Sequence, residues 1–431
     1  MTGLLDEPPV NGHGYGPDVI CLLLSLVLEA GVSLRAAPRV LATVSRALGL
    51  SLAAPCWTTG RLWLLRLGHA MLTAPREKAD DWVWLIDHSV QIGREKCLVI
   101  LGLRLIDLPE RGQSLRHEDL QLLELKPAES WTRPEVDDAL EACSARTGIV
   151  PRAIVSDHGS DLSGGIALFQ RRHPQTADIY DAKHKAACLL KRRLENNPRW
   201  QEFQTRVGKT RCAVQQTELA FLTPPGPKPK ARFMNLERQL NWSRRVLAIL
   251  REPMCVKQFA TRRRLKEKFG WLMAFEAEVI EWSQWQQVFD AAVSLVNGQG
   301  IYRGAADLMA KELSQLDALQ PSAIQLSEEM VQFVRSQESQ ARCDERFPGS
   351  TEVLESCFGK FKQLEKQQSR GGFTQLLLGF GAILSRKTIT IVREAMQASR
   401  TADIRRWTAQ TLGVTLFAQR KLAYASATKD G

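Results

Sequence analysis

Short apolar runs in the first half of the chain predict a sheet that begins with three consecutive strands. The first run, Trp82 to Asp87, has five apolar residues and ends in an aspartate. A polar turn at 93–95 separates it from a second run at 96–105, and a polar loop precedes a third run at 120–125. Consecutive strands with short connections pair antiparallel in most sheets, so we expect a meander.

A helix and two further strands follow this meander. The segment 132–147 has a capping residue, a proline in its first turn and a glycine after its end, which predicts a helix. The run 152–156 predicts a fourth strand ending at Asp157, and 176–181 predicts a fifth. Because a helical crossover connects parallel strands, we expect the fourth strand to run parallel to one of the first three.

Helical periodicity before the sheet predicts three short helices. They are expected from Pro17 onward, over 34–48 with Pro38 delaying the start, and over 58–72. Three helices with tight turns are typical of a helix-turn-helix module, whose recognition helix meets DNA. They are equally typical of a helical domain used for packing or dimerisation.

The second half of the chain is predicted to be helical. The segment 198–345 has helical periodicity, a proline-rich break at 224–230 and many tryptophans, which serve as core anchors or stack on an unpaired base. A capped helix is expected over 352–367, followed by a joint at Gly371–Gly372 and basic helices to about Tyr424. These patterns divide the chain into five parts. They are an N-terminal helical domain (1–76), a first core part (77–197), a helical insertion (198–345), a second core part (346–375) and a C-terminal basic helical region (376–431).

The excess of basic residues favours an anionic partner. Lys and Arg number 58 against 47 Asp and Glu, which gives a net charge of +11 and a pI near 9.3, and such an excess favours nucleic acid. The nine cysteines form no CxxC pair, so reduced thiols in a cytoplasmic protein are expected. No signal peptide is expected, and the apolar run Val19 to Leu28 is too short for a membrane span, so no membrane partner is expected.

Three carboxylates are placed where they can meet at one edge of the predicted sheet. Asp87 and Asp157 end the first and fourth strands, and Glu355 lies on the helix after the insertion. Glu352, one helical turn earlier, is the alternative third acid. Asp161, on the same loop as Asp157, is the alternative to Asp157, although a solvated residue at a helix start is the favoured interpretation of it. Carboxylates on rigid elements are ligands that Mg²⁺ prefers, and two such ions activate a water or a 3′-hydroxyl. We therefore interpret Asp87, Asp157 and Glu355 as catalytic metal ligands.

Three histidines adjoin the same region. His88 and His158 follow the two aspartates, and an imidazole suits proton transfer near neutral pH, although a two-metal site requires no general base. His184 either organises the edge of the site or is a surface histidine on the basic helix 183–194.

The order of these elements resembles a known enzyme family. Three strands, a helix, a fourth strand, a helical insertion and a further helix, with Asp87, Asp157 and Glu355 at the corresponding places, look like a DDE transposase with an RNase H-like catalytic core. The likeness covers roughly 80–195 and 345–375.

Short segments carry the resemblance in more detail. The segments Asp157-His158-Gly159-Ser160-Asp161-Leu162 and 179–184 are similar to the second-aspartate region of bacterial transposases related to the Mutator and hAT groups. Asp181 stands where those proteins often have the cysteine of a Cys-x-x-His motif. The segment 351–356 resembles the lead into the family's glutamate.

The resemblance implies a fold, an activity and a set of partners. The implied fold is an RNase H-like mixed five-stranded α/β sheet flanked by helices, with an N-terminal helix-turn-helix-like domain and a large all-helical insertion. The implied activity is cleavage and strand transfer of an insertion-sequence element with two Mg²⁺ ions, which Mn²⁺ would replace. The implied partners are double-stranded DNA at the element ends and the target, and further copies of the chain in a homodimer or larger homo-oligomer, in the bacterial cytoplasm at the nucleoid. The expected DNA contacts are Arg61, Arg66, Lys183, His184, Lys185, Arg192, Arg262, Arg263, Lys360 and Lys362.

Two other functions fit the same residues. One is an inactive or domesticated derivative that acts as a DNA-binding protein. The other is an RNase H-like nuclease that cuts DNA without strand transfer.

Overall fold

The structure, a computed structural model, consists of two compact units. Unit 1 comprises Met1–Glu110, Ser114–Ile179 and Thr351–Gly431, and unit 2 comprises Arg111–Gln113 and Tyr180–Ser350. The structure describes residues 7–10, 12–50, 52–226, 233, 236–252, 260–367, 373–413, 419–420 and 423–424. Part of the proline-rich break at 224–230 and the whole Gly371–Gly372 joint lie outside these residues.

Helices occupy both units. In chain order they are α1 Pro17–Leu28, α2 Ala37–Ala47, α3 Trp57–Thr73, α4 Arg133–Thr147, α5 Ser160–Arg172, α6 Ala182–Leu194, α7 Pro198–Val214, α8 Glu237–Arg251, α9 Arg262–Phe269, α10 Glu276–Gln299, α11 Ala305–Ser314, α12 Pro321–Glu338, α13 Glu352–Glu365, α14 Gly379–Leu384, α15 Ile389–Ala398 and α16 Thr401–Thr411. Helices α6 to α12 belong to unit 2 and the others to unit 1. Where 198–345 is described it contains no strand, and its Ile301 forms an isolated β-bridge with Phe347.

Unit 1 is built around a mixed sheet, which confirms the predicted α/β class. The strands are β1 Trp82–Ile92, β2 Glu95–Arg104, β3 Gln121–Ala128, β4 Ala153–Ser156 and β5 Ala177–Tyr180. Their order across the sheet is β3-β2-β1-β4-β5. Strand β2 runs antiparallel to β1 and β3, and β4 runs parallel to β1, as the meander and the helical crossover predict.

The first strand is longer than its apolar run predicts. It pairs with β2 as far as Ile92 and Glu95, with a register shift between Asp87 and Val90. Asp87 therefore lies inside β1, and its predicted position at the end of the strand is wrong. The polar residues that predict a turn after Asp87 instead belong to a hairpin, in which β2 provides their backbone hydrogen-bond partners. The parallel neighbour β4 is shorter and pairs with β1 only over 83–85.

One face of the sheet packs on α4 and α5. Helix α4 begins with the predicted capping box between Thr132 and Glu135 and ends at Gly148, whose φ is 70°. The apolar cluster on this face includes Trp82, Trp84, Ile86, Leu98, Ile100, Leu123, Val136, Leu140, Ile154, Leu162, Ile166 and Phe169. Because side chains alternate between the two faces of a strand, Leu85 and Asp87 belong to the opposite face.

The third N-terminal helix is a core element of unit 1. Helix α3 contacts α14, α15 and β3, and most of its length is buried. Gly68 marks its closest approach to the C-terminal segment, because a Cβ atom there would lie 1.7 Å from the carbonyl oxygen of Leu378. A recognition helix needs an exposed face to enter the major groove. The burial of α3 therefore favours the packing interpretation of these helices over the helix-turn-helix interpretation.

Aromatic side chains form the core of unit 2. Trp282 of α10 meets the rings of Trp200 and Phe203 at centroid distances of 4.8 and 5.1 Å. The indole nitrogen of Trp271 donates to the hydroxyl of Thr210 at 2.9 Å. The fully buried or nearly buried tryptophans of this unit are Trp200, Trp242, Trp282 and Trp285. The tryptophans of the insertion therefore serve as core anchors and not as exposed platforms for a base.

Candidate functional site

The pairing register of β1 and β4 bears on two candidate acids, Asp87 and Asp157. Val83 pairs with Ala153, Trp84 with Ile154 and Leu85 with Val155, a constant offset of 70 residues. Continued for two residues, this register would set Asp157 opposite Asp87, but the observed pairing ends at Leu85 and Val155. Asp87 lies on β1 two positions beyond Leu85, and Asp157 directly follows the end of β4. The close approach of the two aspartates therefore stays a prediction.

The environment of the two aspartates differs. Asp87 is 3% exposed and precedes the register shift in β1, an irregularity of the kind that often redirects a side chain beside an active site. Asp157 is half-buried just beyond the end of β4, and its Oδ1 accepts the backbone N–H of Gly159 at 2.9 Å. The second oxygen of Asp157 makes no hydrogen bond within the described part of the chain.

The third acid lies on a helix that covers the same strand. Helix α13 contacts β1 and buries a face that includes Leu354, Cys357 and Phe358. Glu352 and Glu355 both lie on the exposed side of its first turn. Both candidate glutamates therefore lie on a helix that contacts β1, and the choice between them stays open.

The donor set fits a magnesium site by chemical type. Carboxylate oxygens are the ligands that Mg²⁺ prefers, and Asp87 and Asp157 both carry them. Among the described residues, however, no three His, Cys, Asp or Glu side chains are grouped closely enough to hold a metal ion.

An ion pair ties β1 to the start of α5. Nε2 of His88 lies 2.6 Å from Oδ2 of Asp161, and both side chains are largely buried, at 14% and 23% exposure. Burial alone would raise the pKa of Asp161, but the charge and hydrogen bond of His88, together with backbone N–H groups, lower it below its usual value. Asp161 does stand at a helix start as expected, and its side chain is partly exposed and also bound to His88.

The turn after β4 is held in an uncommon conformation. His158 has a φ of 54°, in the left-handed region that residues other than glycine seldom adopt. Its Nε2 lies 2.8 Å from Oδ1 of Asp178 on β5, and its backbone N–H donates to Oγ of Ser156 at 3.2 Å. These contacts hold the turn that positions Asp157, in the kind of strained backbone that clusters at functional sites.

A histidine from outside the predicted site contacts α13. Nε2 of His117 lies 3.0 Å from Oγ of Ser356, the residue after Glu355. Burial lowers the pKa of His117, and the nearby charges of Lys360 and Lys387 lower it further. The sequence gives no signal for this contact or for Asp178, because the partners are far apart in the chain. For His88 and His158 the only signal is their position next to the aspartates.

The predicted DNA contacts on α3 have little exposed surface. The guanidinium of Arg66 donates to the carbonyl oxygens of Ser399, at 2.5 Å, and Met396, at the end of α15. Arg61 is half-buried. Arg66 therefore connects α3 to α15, and a DNA contact of either arginine stays a prediction.

In unit 2, the histidine of the Asp-x-x-His segment belongs to a helix cap. Asp181 is 1% exposed, and its Oδ1 accepts the backbone N–H of His184 at 2.9 Å. The imidazole Nδ1 of His184 lies 3.4 Å from the same oxygen. His184 thus organises the start of α6 together with Asp181.

The other predicted DNA contacts differ in exposure. The ammonium group of Lys185 lies over the rings of Tyr180 and Phe333, at 5.8 and 5.6 Å. Arg192, Arg262, Arg263 and Lys360 are exposed, and Lys183 and Lys362 are half-buried. Contact of these residues with DNA stays a prediction.

Comparison with other proteins adds no family assignment. The sequence matches no protein-family model, and a search of curated proteins finds no significant match. Over the part of the chain that the structure describes, no helix has both the length and the apolar character required to cross a bilayer.

Proposed function

We propose that this chain is a DNA transposase with an RNase H-like catalytic core, which cleaves and joins DNA strands at a site formed by Asp87, Asp157 and a glutamate of α13. The observation that carries the proposal is the parallel pairing of β1 with β4 over 83–85, since Asp87 lies two residues beyond that pairing on β1 and Asp157 directly follows β4.

The arrangement of the sheet supports the proposed core. The resemblance implies three strands, a helix, a fourth strand and a glutamate-bearing helix that returns after a helical insertion. The observed sheet has an antiparallel meander, the crossover helix α4 and a parallel β4. Helix α13 then returns to β1 after the helices of unit 2.

Each residue of the proposed site would supply a carboxylate from a different element. Two bound Mg²⁺ ions would activate a water or 3′-hydroxyl and stabilise the leaving oxygen of the phosphodiester. Asp87 offers its carboxylate from a rigid, buried strand, and Asp157 offers the oxygen that the Gly159 N–H does not use. Glu355 would reach the same place from the exposed side of α13.

The proposal is tested by removing one carboxylate charge at a time. Asp87→Asn and Asp157→Asn are expected to abolish Mg²⁺- or Mn²⁺-dependent cleavage of a labelled duplex that carries the sequences flanking the gene, because each removes a proposed ligand of a two-metal site. Asp107→Asn, at an exposed position of the same unit, is the matched control and keeps its activity. Full cleavage by Asp87→Asn would contradict the metal-ligand assignment.

The two glutamates are distinguished by the same assay. Glu355→Gln is expected to abolish cleavage, whereas Glu352→Gln is expected to leave most of it. The reverse result would assign the third ligand to Glu352.

The joining step separates the proposed activity from its alternatives. A transposase produces both the nicked strand and the product in which the freed 3′-hydroxyl is joined to target DNA. Cleavage without joined products would identify a nuclease. A mobility shift of the duplex without any metal-dependent cleavage would identify a DNA-binding derivative.

A further inference from the structure

The second helix carries a line of exposed arginines. Arg39 and Arg46 of α2 are exposed and seven positions apart, and Arg35 is exposed in the turn before the helix, four positions earlier. Positions four and seven apart share one face of a helix. Leu41 and Ser45 are buried on another face of α2. Arg35, Arg39 and Arg46 therefore form one exposed row, which we call the arginine stripe.

The segment that carries the stripe contains no acidic residue. Between Glu29 and Glu77 the chain has no Asp or Glu, and its arginines are Arg35, Arg39, Arg46, Arg61, Arg66 and Arg76. No ion pair involves the three stripe arginines within the described residues, although the guanidinium of Arg35 lies 5.1 Å from the ring centroid of Trp57.

The helix packed beside α2 does not neutralise the stripe. Helix α1 contacts α2 and carries Asp18, which is buried and accepts the backbone N–H groups of Glu7 and Val19. Glu29, just after α1, is the acid nearest to the stripe in the sequence. The stripe is therefore a concentrated positive surface of a kind that attracts a polyanion.

One helix connects the stripe to the proposed acids. The backbone N–H of Leu34, next to Arg35, donates to Oε1 of Gln367 at 2.9 Å, and Gln367 lies two residues beyond α13. Glu352 and Glu355 lie at the other end of that helix, whose 14 residues span about 20 Å.

We propose that the arginine stripe of α2 binds the phosphate backbone of duplex DNA. Guanidinium groups match phosphate oxygens in a two-pronged geometry, and seven residues of helix set Arg39 and Arg46 about 10 Å apart along the axis of α2. DNA binding by the stripe does not rest on the proposed function. In this proposal α2, and not the buried α3, is the DNA-binding helix of the N-terminal segment.

The test measures how DNA affinity depends on salt. The full-length protein is titrated into a fluorescent 30-base-pair duplex in EDTA, so that no cleavage occurs, at several NaCl concentrations. Each lost phosphate contact lowers the slope of log affinity against log salt by about 0.9 and weakens binding about eightfold at 0.1 M salt. Arg39→Ala/Arg46→Ala is therefore expected to lose about 1.8 in slope and about 60-fold in affinity.

Three controls make the result specific. Arg171→Ala removes an exposed arginine from α5 of the same unit and is expected to match the wild-type slope. Arg39→Lys/Arg46→Lys keeps both charges and is expected to keep most of the slope. Circular dichroism melting shows that each variant is folded.

Several outcomes would overturn the proposal. These are a wild-type slope in Arg39→Ala/Arg46→Ala, an equal loss in Arg171→Ala, or binding to phosphatidylserine vesicles but not to the duplex. Failure of the transposase proposal looks different, since there the duplex is bound through the stripe but never cut. If Arg39→Ala/Arg46→Ala cleaves DNA and keeps the wild-type slope of log affinity against log salt, only DNA binding by the arginine stripe is contradicted.

Discussion

The ion pair between His88 and Asp161 fixes the place where β1 meets α5. Asp161→Asn is expected to lower the free energy of unfolding by about 1–2 kcal/mol, because a largely buried hydrogen bond to a carboxylate is replaced by one to a neutral amide. Urea denaturation measures the change. Asp138→Asn, at an exposed position of α4, is the control and is expected to change stability by less than about 0.5 kcal/mol.

If Asp161→Asn lowers the free energy of unfolding by less than Asp138→Asn does, the pair of His88 and Asp161 contributes nothing to stability. A double-mutant cycle with His88→Gln then isolates the interaction between the two side chains.

Residues of the site differ in how well the sequence predicts them. Asp87 and Asp157 are predicted because apolar runs precede them, and the observed pairing of β1 with β4 has the same offset of 70 residues. The partners of His88 and His158 are not identified, because Asp161 and Asp178 approach them only after the sheet and α5 have assembled. Local patterns report which residues lie on an element, and not which side chains meet across two elements.

At the scale of elements, the crossing of α3 and α14 depends on two glycines. A Cβ atom at Gly68 would overlap the carbonyl of Leu378, and one at Gly381 would lie 2.6 Å from the carbonyl oxygen of Gly68. Gly68→Ala is expected to destabilise unit 1 by about 1–3 kcal/mol, since backbone atoms cannot yield as a flexible side chain can.

A second glycine in the same unit provides the matched control. Gly359 lies inside α13, and a Cβ atom there would have no neighbour within 4 Å. Gly359→Ala is expected to raise the free energy of unfolding by about 0.5–1 kcal/mol through helix propensity. Denaturation of both variants checks the pair, and an equal effect of the same sign would contradict the close crossing of α3 and α14.

The boundaries of elements follow the sequence where local signals determine them. The capping box at Thr132 and the glycine at 148 delimit α4 as predicted. The end of β1 is not predicted, because the residues after Asp87 stay in a strand only through their pairing with β2. The burial of α3 is also not predicted, because it depends on helices some 300 residues later, such as α14.

At the scale of the whole molecule, three histidines link stability to pH. Burial is the largest cause that lowers the pKa values of His13, His69 and His117 in the folded chain. The unfolded chain, with histidine pKa values near 6.5, therefore binds more protons than the folded chain in the range below that pH. Stability is expected to be complete above about pH 6.5 and to fall as the pH drops through 6.5 toward the lowered folded-state values.

Melting temperatures between pH 7.5 and 5.5 measure this effect. His69→Gln is expected to melt with a weaker pH dependence than the wild type, because one of the three groups no longer titrates. Identical pH profiles for the two proteins would contradict a contribution from His69.

The division of unit 1 into separate stretches of chain has a consequence for its synthesis on the ribosome. The stretch that ends at Ile179 and the stretch that begins at Thr351 are separated by the whole of Tyr180–Ser350. The sheet with both aspartates is therefore made first, while α13 and α14 are still untranslated. At about 5–20 residues per second, the nascent sheet waits roughly 10–40 seconds for the helices that cover it. During that interval its uncovered apolar face is the part of the protein that chaperones would bind, and the proposed site lacks its glutamate until the chain is almost complete.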